Sequence, residues 1–258
     1  MKQWDAEKLL LHKDYGTIHE GFVYQIRCSP DSKWAFTVSH DLRLKMWDIN
    51  EERLEYDFGQ IHTDLIDALC VTNDNKFVFT GSNDKKIVQI DINERRIHKN
   101  FGVVHEKSVS SITSDTTSTL LFSGSIGCFK MWSISESKCS RKITNAHEGY
   151  IYNIKVSPCN TYVFTVGQDG HLKQWNILQD LDLTKDYGKI HSDWIRGLCI
   201  SPNGDYVFTA GIDGAMRQYS IKDCKVQVDY GRISQKGIAW IDISEGGRDV
   251  FVGGADKH

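Results

Sequence analysis

Hydrophobic and polar positions alternate along short segments of this chain, and the same alternation returns at a regular interval. In the segment WAFTVS at 34–39, for example, side chains at a period of two surround a central phenylalanine, which is typical of a half-buried β-strand. The equivalent phenylalanines follow one another at intervals of 43, 43, 42, 44 and 43 residues, at Phe36, Phe79, Phe122, Phe164, Phe208 and Phe251. One structural unit is therefore used six times.

Each repeat contains four such segments separated by turn residues. In the fifth repeat the first segment is DWIRGLCISPN, the third is AMRQYSI and the fourth is CKVQVDYG. Within the first segment the apolar positions Ile195 and Leu198 are three residues apart, and this odd spacing predicts a β-bulge in the first strand of every repeat. Four strands per repeat and no helical period predict an all-β fold.

Four-stranded units of this length cannot each enclose a core, so they have to stack on one another. A propeller of blades is the all-β solution with this repeat length. The third segments end in Trp47-Asp48, in Trp4-Asp5 and in the variants Trp175-Asn176 and Trp132-Ser133, and each repeat begins near a histidine. These features resemble the WD40 (WD-repeat) family over essentially the whole chain, and the resemblance implies a β-propeller of four-stranded WD40 blades.

The repeat boundaries follow from this register. We expect one WD40 domain over 1–258, with repeats at 17–59, 60–102, 103–144, 145–188, 189–231, and 232–258 completed by 1–16. Counting from Asp256 through the C-terminus to Trp4 gives the same interval as from Asp41 to Trp47. The chain is then either a six-bladed ring that the N-terminal segment closes or a segment of a longer array.

Five of the ten histidines occupy one repeat position. The resemblance implies that this histidine begins a buried hydrogen-bond tetrad with a Thr or Ser, a turn Asp and the Trp, because buried polar groups need partners. Two sets are complete, His19, Thr37, Asp41 and Trp47, and His147, Thr165, Asp169 and Trp175. Three are partial: His62, Thr80 and Asp84 with Ile90; His105, Ser123 and Trp132 without the Asp; and His191, Thr209 and Asp213 with Tyr219. The sixth repeat has Ser234 and Val252 at these positions, so no network is expected there.

These polar residues are interpreted as structural, since histidines spread around a ring do not converge on one ion. The expectation is therefore no metal, no cofactor and no catalytic residue. The sequence also lacks Walker A, GxGxxG, HExxH, EF-hand and GxSxG motifs, which favours a protein that is not an enzyme.

The positions that vary between repeats lie where propellers bind partners, at the loops before the first strand and the turns before the third. Their aromatic and arginine content is typical of protein-binding hot spots, and they are Phe22, Tyr24, His40, Asp67, Asn83, Tyr150, Tyr152, Gln168, Trp194, Arg196 and Ile212. The hypothesis that we favour is a non-catalytic scaffold that binds a protein or peptide there as part of a multiprotein complex. The alternatives are that the aromatic residues only cover the core edge, or that the propeller regulates or recruits substrates for a larger enzyme or a ubiquitin-ligase assembly.

Composition and net charge narrow the classes of partner that the protein is expected to bind. Lys plus Arg number 31 against 34 Asp plus Glu, for a net charge of −3, so no basic field for nucleic acid is present. No stretch has the apolar length of a membrane span or of a signal peptide. Seven cysteines without a CxxC pair suit a reducing compartment, and the predicted location is the cytoplasm, with the nucleus left open. Residues 108–119 are rich in Ser and Thr and are either a solvated edge or a phosphorylation segment.

Overall fold

A computed structural model of the protein describes residues 1–5, 8 and 10–254. The chain divides into two compact units, Met1–Val109 and Ser110–His258, and each is built from antiparallel strands. Apart from one 3₁₀ turn at Ile177–Gln179, the described residues contain no helix, and thus none with the length and apolar character of a membrane span. The expected all-β fold of four-stranded repeat sheets is confirmed.

The first unit contains one two-stranded and two four-stranded sheets. The two-stranded sheet pairs β1 (Lys2–Asp5) with β2 (Leu10–Asp14). The first repeat is the sheet of β3 (Val23–Cys28), β4 (Trp34–Ser39), β5 (Arg43–Asp48) and β6 (Arg53–Gln60). The second repeat is the sheet of β7 (Ile66–Val71), β8 (Phe77–Ser82), β9 (Lys86–Asp91) and β10 (Arg96–Val103). Every neighbouring pair along these sheets is consecutive in sequence, which makes each a meander.

The second unit contains three four-stranded sheets and one two-stranded sheet. The third repeat comprises β11 (Ser111–Ser114), β12 (Leu120–Gly124), β13 (Cys128–Ser133) and β14 (Lys138–Thr144). The fourth comprises β15 (Ile151–Val156), β16 (Tyr162–Gly167), β17 (His171–Asn176) and β18 (Asp182–Lys189). The fifth comprises β19 (Ile195–Ile200), β20 (Tyr206–Gly211), β21 (Ala215–Ser220) and β22 (Lys225–Arg232), and β23 (Ile238–Ile243) pairs with β24 (Val250–Gly254).

The core lies between successive sheets within each unit. In the first unit Phe36 and Val38 of β4 pack in one cluster with Ile66 and Leu69 of β7. The second unit repeats this arrangement, since Phe164 of β16 shares a cluster with Ile195 and Leu198 of β19, and Phe208 of β20 shares one with Ile238 and Ile241 of β23. In these sheets the phenylalanine that defines the repeat is therefore the residue that packs against the first strand of the next sheet.

The terminal sheets differ from the internal ones in exposure. Ile26 of β3 is 42% exposed, whereas Leu69 at the same repeat position is 2% exposed. Phe251 of β24 is 62% exposed, whereas Phe164 is fully buried. Completion of the sixth repeat by residues 1–16 stays a prediction, and Asp256, on which its register was counted, lies outside the described residues.

The expected bulge occurs in five of the six first strands. The register shifts between Val23/Gln25, Ile66/Ala68, Ile151/Asn153, Ile195/Gly197 and Ile238/Trp240.

For the third repeat the bulge prediction is wrong, since the described residues of β11 and β12 pair without a shift. In the fourth repeat the N–H of Gln168 donates to the carbonyl of Tyr150 and so extends the first-strand ladder. The turn of the third repeat is one residue shorter. Within this turn the N–H of Ser125 donates to the carbonyl of Cys128, so it does not extend the first-strand ladder. Residue pairing therefore starts at Ser111 with Gly124, and the N–H of Ser110 donates to the carbonyl of that same Gly124 over 2.9 Å.

Candidate functional site

In the first repeat four side chains form one hydrogen-bonded chain. Trp47 Nε1 donates to Thr37 Oγ1 over 3.0 Å, and Thr37 Oγ1 lies 2.7 Å from His19 Nε2. On the other side of the ring, His19 Nδ1 is 2.8 Å from Asp41 Oδ2. The fourth repeat has the same arrangement, with 2.9 Å from Trp175 to Thr165, 2.7 Å from Thr165 to His147 and 2.9 Å from His147 to Asp169.

The chemistry of the donors sets the direction of this chain. An indole N–H can only donate, so the threonine hydroxyl accepts from it and gives its own proton to the histidine, whose Nδ1–H donates to the carboxylate. Asp169 also accepts the backbone N–H groups of Glu148 and His171, each over 3.0 Å. Burial by itself would raise the pKa of Asp169, but the hydrogen bond and charge of His147 and these two N–H groups lower it to about 2. The carboxylate thus joins the loop before the first strand to the turn before the third.

The second repeat keeps two of the three side-chain hydrogen bonds of this network. His62 Nε2 lies 2.9 Å from Thr80 Oγ1, and His62 Nδ1 lies 3.0 Å from Asp84 Oδ2. Ile90 has no donor to offer, and the Thr80 hydroxyl lies 3.5 Å from the carbonyl of Val88. The strand that carries Ile90 is therefore linked to His62 at its first residue, since Asp84 accepts the backbone N–H of Lys86 over 3.0 Å, and not through a side-chain donor at position 90.

The fifth repeat substitutes an aromatic contact for the indole hydrogen bond. His191 lies 3.0 Å from Thr209 Oγ1 and 2.9 Å from Asp213 Oδ1. In the described part of the chain Tyr219 is buried but makes no hydrogen bond to Thr209; its ring meets Tyr187 edge-on, with centroids 5.4 Å apart. Tyr219 therefore packs where the other repeats have the tryptophan, but it does not supply the hydrogen bond to the threonine.

The third repeat is distributed over both units. Trp132 Nε1 donates to Ser123 Oγ over 2.9 Å in the second unit. His105 lies in the first unit and is buried there.

Acid is expected to destabilise the protein through its buried histidines. Burial lowers the pKa of His62 and His191 below the ordinary 6.5, and Asp84 and Asp213 oppose this only in part. Because the folded pKa is lower, the unfolded state takes up protons first, so the stabilisation is fully present above about pH 6.5 and declines as the pH falls. Urea unfolding at about pH 7.5, 6 and 5 measures this, with a smaller decline expected for His62→Gln. A free energy of unfolding that rises over the same range would contradict it.

Three of the predicted binding residues in the first unit form an aromatic group. The Phe22 ring meets His40 edge-on at 5.7 Å, and the Tyr24 ring stacks on His40 at 4.9 Å. Phe22 is 80% exposed. The structure places Asp67 and Asn83 half-buried on the neighbouring repeat, where the carbonyl of Asp67 accepts from Gln25 Nε2 over 2.6 Å.

Four of the predicted residues in the second unit form a continuous surface, here called the aromatic–arginine patch: Tyr150, Tyr152, Trp194 and Arg196. The rings of Tyr150 and Tyr152 stack at 5.8 Å with 13° between their planes, and Tyr152 continues to Trp194 at 5.6 Å. The Arg196 guanidinium lies over Tyr152 at 4.9 Å and over Trp194 at 5.7 Å. Burial raises the pKa of Tyr152, and the Arg196 charge opposes this only in part, so the phenol is neutral at neutral pH.

The remaining predicted residues of the second unit support the loops that carry this patch. Gln168 Oε1 accepts the backbone N–H of Tyr150 over 3.2 Å. The N–H of Ile212 donates to the carbonyl of Trp194 over 2.8 Å. Both side chains are half-buried, as are those of Tyr150 and Tyr152, and a direct contact of either with a partner stays a prediction.

Sequence reasoning missed the residue that holds the backbone of Arg196. Asn153 Nδ2 donates to the carbonyl of Arg196 over 3.1 Å, and Gln25 makes the equivalent bond to Asp67 in the first unit. Both residues follow the repeat histidine by six positions. The available signal is an amide side chain at the same strand position in the first and fourth repeats.

A metal centre is not formed by the residues that the structure describes. Within 1–5, 8 and 10–254, no three His, Cys, Asp or Glu side chains lie close enough together to hold an ion.

Comparison with known protein families gives the class of this chain. The family model "WD domain, G-beta repeat" (WD40) matches residues 13–48, 58–91, 137–176 and 186–220, which together make up more than half of the chain. The protein belongs to the WD40 family. Together with the four-stranded sheets, these matches confirm the expected fold class, a β-propeller of WD40 blades.

Individual relatives match over one short segment. The chain is similar to DDB1- and CUL4-associated factor 13 of Xenopus tropicalis, with 41% identity over 51 residues, which is 20% of this chain and 11% of that protein. It has 43% identity over 49 residues with the Xenopus laevis protein of that name, 19% of this chain and 11% of that protein. With the Homo sapiens protein it has 39% identity over 51 residues, again 20% of this chain and 11% of the relative. The match spans about a tenth of the length of these relatives.

Proposed function

We propose that this protein is a non-catalytic platform that binds a protein or peptide segment on the aromatic–arginine patch, as part of a multiprotein complex in the cytoplasm or nucleus. The observation that carries the proposal is the stacked run from Tyr150 through Tyr152 to Trp194, with the charged Arg196 over it. Rigid aromatic and arginine side chains dominate the binding energy of protein interfaces because they bury much area for little lost entropy. The rings are already ordered by one another, so binding costs little further ordering.

The first-unit aromatic group, Phe22, Tyr24 and His40, is proposed as a secondary contact. Its exposed phenylalanine suits an apolar side chain of a partner. Within the part of the chain that the structure describes, no cation is stacked on its rings, which distinguishes it from the aromatic–arginine patch.

The test is quantitative capture of partners from native lysate by the wild type and by a variant with Tyr150→Ala, Tyr152→Ala, Trp194→Ala and Arg196→Ala. A matched control carries Leu183→Ala, Val226→Ala, Val228→Ala and Tyr230→Ala, which remove exposed side chains from the outer strands β18 and β22. Proteins lost from the patch variant and kept by the control are expected. The proposal is contradicted if the patch variant, shown to be folded by circular dichroism, still captures every partner of the wild type.

A second candidate function rests on the relatives. Proteins named for association with DDB1 and CUL4 share a segment with this chain, which favours a role as the substrate-recruiting part of a ubiquitin-ligase assembly. Size-exclusion chromatography of the purified chain with purified DDB1 and CUL4 tests this role. Co-elution supports it, and separate elution at micromolar concentrations contradicts it.

A further inference from the structure

Arg196 differs from other arginines of the protein in what surrounds its charge. Arg43, Arg141 and Arg217 pair with Asp57, Asp180 and Asp229 at 3.1, 2.9 and 3.1 Å. Among the residues that the structure describes, Arg196 has no carboxylate within ion-pair distance. Its guanidinium lies over the rings of Tyr152 and Trp194 and forms a hydrogen bond with the Tyr152 side chain. The neighbouring Asp193 directs Oδ1 to the N–H of Trp194, over 2.8 Å. The positive charge of Arg196 is therefore not held in an ion pair, and the acidic residue nearest in sequence, Asp193, uses its carboxylate on the backbone of Trp194.

Stacking leaves the hydrogen-bonding edge of a guanidinium available. The two faces of the planar group take up aromatic rings, whereas its five N–H donors lie in the plane and match the two oxygens of a carboxylate. An arginine held over tyrosine and tryptophan has already lost much of its rotamer freedom, so a bidentate pair costs less entropy to form.

The backbone under Arg196 is fixed as firmly as the side chain. In the ladder between β19 and β20, Ile195 pairs with Gly211 and Gly197 with Ala210, so Arg196 is the extra residue of the bulge. Its carbonyl, which a bulge leaves without a ladder partner, accepts from the buried Asn153. A Cβ at position 197 would lie 2.8 Å from Ile241 Cγ2, so glycine lets the strand pass this close to its neighbour.

The rings beside this charge supply an apolar contact area. Tyr150 and Tyr152 are nearly parallel and half-buried, and Trp194 is 37% exposed at the other end of the run. Successive side chains on one face of an extended peptide are about 7 Å apart. The Arg196 guanidinium lies 4.9 Å from the Tyr152 ring, and the Tyr150 ring lies a further 5.8 Å from Tyr152, so neighbouring side chains of one peptide face can reach both the charge and the rings. The positive charge of Arg196 beside these rings then favours a ligand that carries a negative charge.

We propose that the aromatic–arginine patch binds an acidic peptide segment, in which a Glu or Asp carboxylate pairs with Arg196 while a nearby apolar side chain packs on Tyr150 and Tyr152. This inference rests on the proposed function and adds the chemistry of its ligand. Asn153 acts as a positioning residue, because it touches the backbone of Arg196 rather than the ligand.

The test uses libraries of immobilised nine-residue peptides that have a fixed central Glu, Gln, Lys or phosphoserine and randomised flanks, probed with the purified full chain. For the best Glu-centred sequence, the Glu to Gln exchange is expected to weaken binding by at least about tenfold, the worth of a hydrogen bond to a charged group. Arg196→Gln should remove that difference, and Arg196→Glu should transfer the preference to Lys-centred peptides. Binding of phosphoserine without Glu, or equal binding of Glu and Gln, would overturn the proposal.

Asn153→Ala separates positioning from stability. The ratio of affinities for Glu-centred over Gln-centred peptides should fall toward one, an effect that loss of stability alone does not produce in the folded fraction. An unchanged ratio would refute the positioning role. If lysate partners depend on the aromatic–arginine patch but wild-type selection shows no acidic preference, this inference fails alone; if the partners do not depend on the patch, the proposed function fails first.

Discussion

Replacing Phe164 with alanine is expected to lower the free energy of unfolding by about 3–5 kcal/mol, the range for a buried phenylalanine that leaves a cavity. Phe164 is fully buried and belongs to the cluster that joins β16 to Ile195 and Leu198 of β19. Ile195 and Leu198 lie on a strand that backbone hydrogen bonds hold in its own sheet. They therefore cannot move far enough to fill the cavity that the alanine leaves. Urea unfolding followed by tryptophan fluorescence measures the loss, provided that each transition is fitted separately if the two units unfold apart.

The repeat itself supplies the matched control. Phe251 occupies the same position in the sixth repeat but is 62% exposed, so Phe251→Ala should cost much less, on the scale of about 0.5 kcal/mol for a surface change. A loss at Phe251 as large as that at Phe164 would mean that Phe251 is covered in the folded protein in solution. A small change in the free energy of unfolding for Phe164→Ala would show that this cluster contributes little to stability.

The part of the fold that the sequence predicts is the part that repeats. Phe36, Phe164 and Phe208 occupy one register position, and each is buried against the first strand of the next sheet. Periodicity predicts this because an alternating strand has only one face to bury, and a shift by one residue would expose all of it. The histidine positions follow by the same register, and their contacts with Thr37 and Thr165 are those that the family resemblance implies.

What the sequence leaves open depends on single contacts that no period encodes. The missing bulge of the third repeat follows from one backbone hydrogen bond, from Ser125 to Cys128, in a turn shortened by one residue. The place of Tyr219 depends on a ring from the neighbouring sheet, Tyr187. Positions 150, 152, 194 and 196 vary between repeats, but the order in which their side chains stack follows from contacts between two repeats that the period does not encode.

In the fifth repeat the bulge at Arg196 lies between buried core positions and carries a side chain that varies from repeat to repeat. On either side of it Ile195 and Leu198 are fully buried, while the extra residue, Arg196, projects outward with its carbonyl held by Asn153. The repeat can therefore change its outward side chain, as between Arg196 and Tyr152, without disturbing its core. This separation explains how one scaffold presents a different surface on each repeat.

Removal of the tetrad carboxylate is the second large effect expected. Asp169→Ala should lower the free energy of unfolding by about 1–3 kcal/mol, because it leaves the His147 ring and the N–H groups of Glu148 and His171 without their acceptor in a buried setting. The low pKa of Asp169, about 2, adds a signature in pH. A folded pKa below the unfolded value stabilises the protein above about pH 4, and this contribution is lost as the pH falls toward 2.

Asp205→Ala provides the control for that experiment, since Asp205 is exposed and its carboxylate accepts from the exposed Asn203 over 2.6 Å. It should change the free energy of unfolding by no more than about 0.5 kcal/mol. Unfolding by urea at about pH 7 and 3 gives both quantities: the difference between wild type and Asp169→Ala should be larger at the higher pH, because only the ionised carboxylate accepts all of these bonds. Equal losses for Asp169→Ala and Asp205→Ala, or a difference that grows as the pH falls, would refute the role of Asp169 in the tetrad.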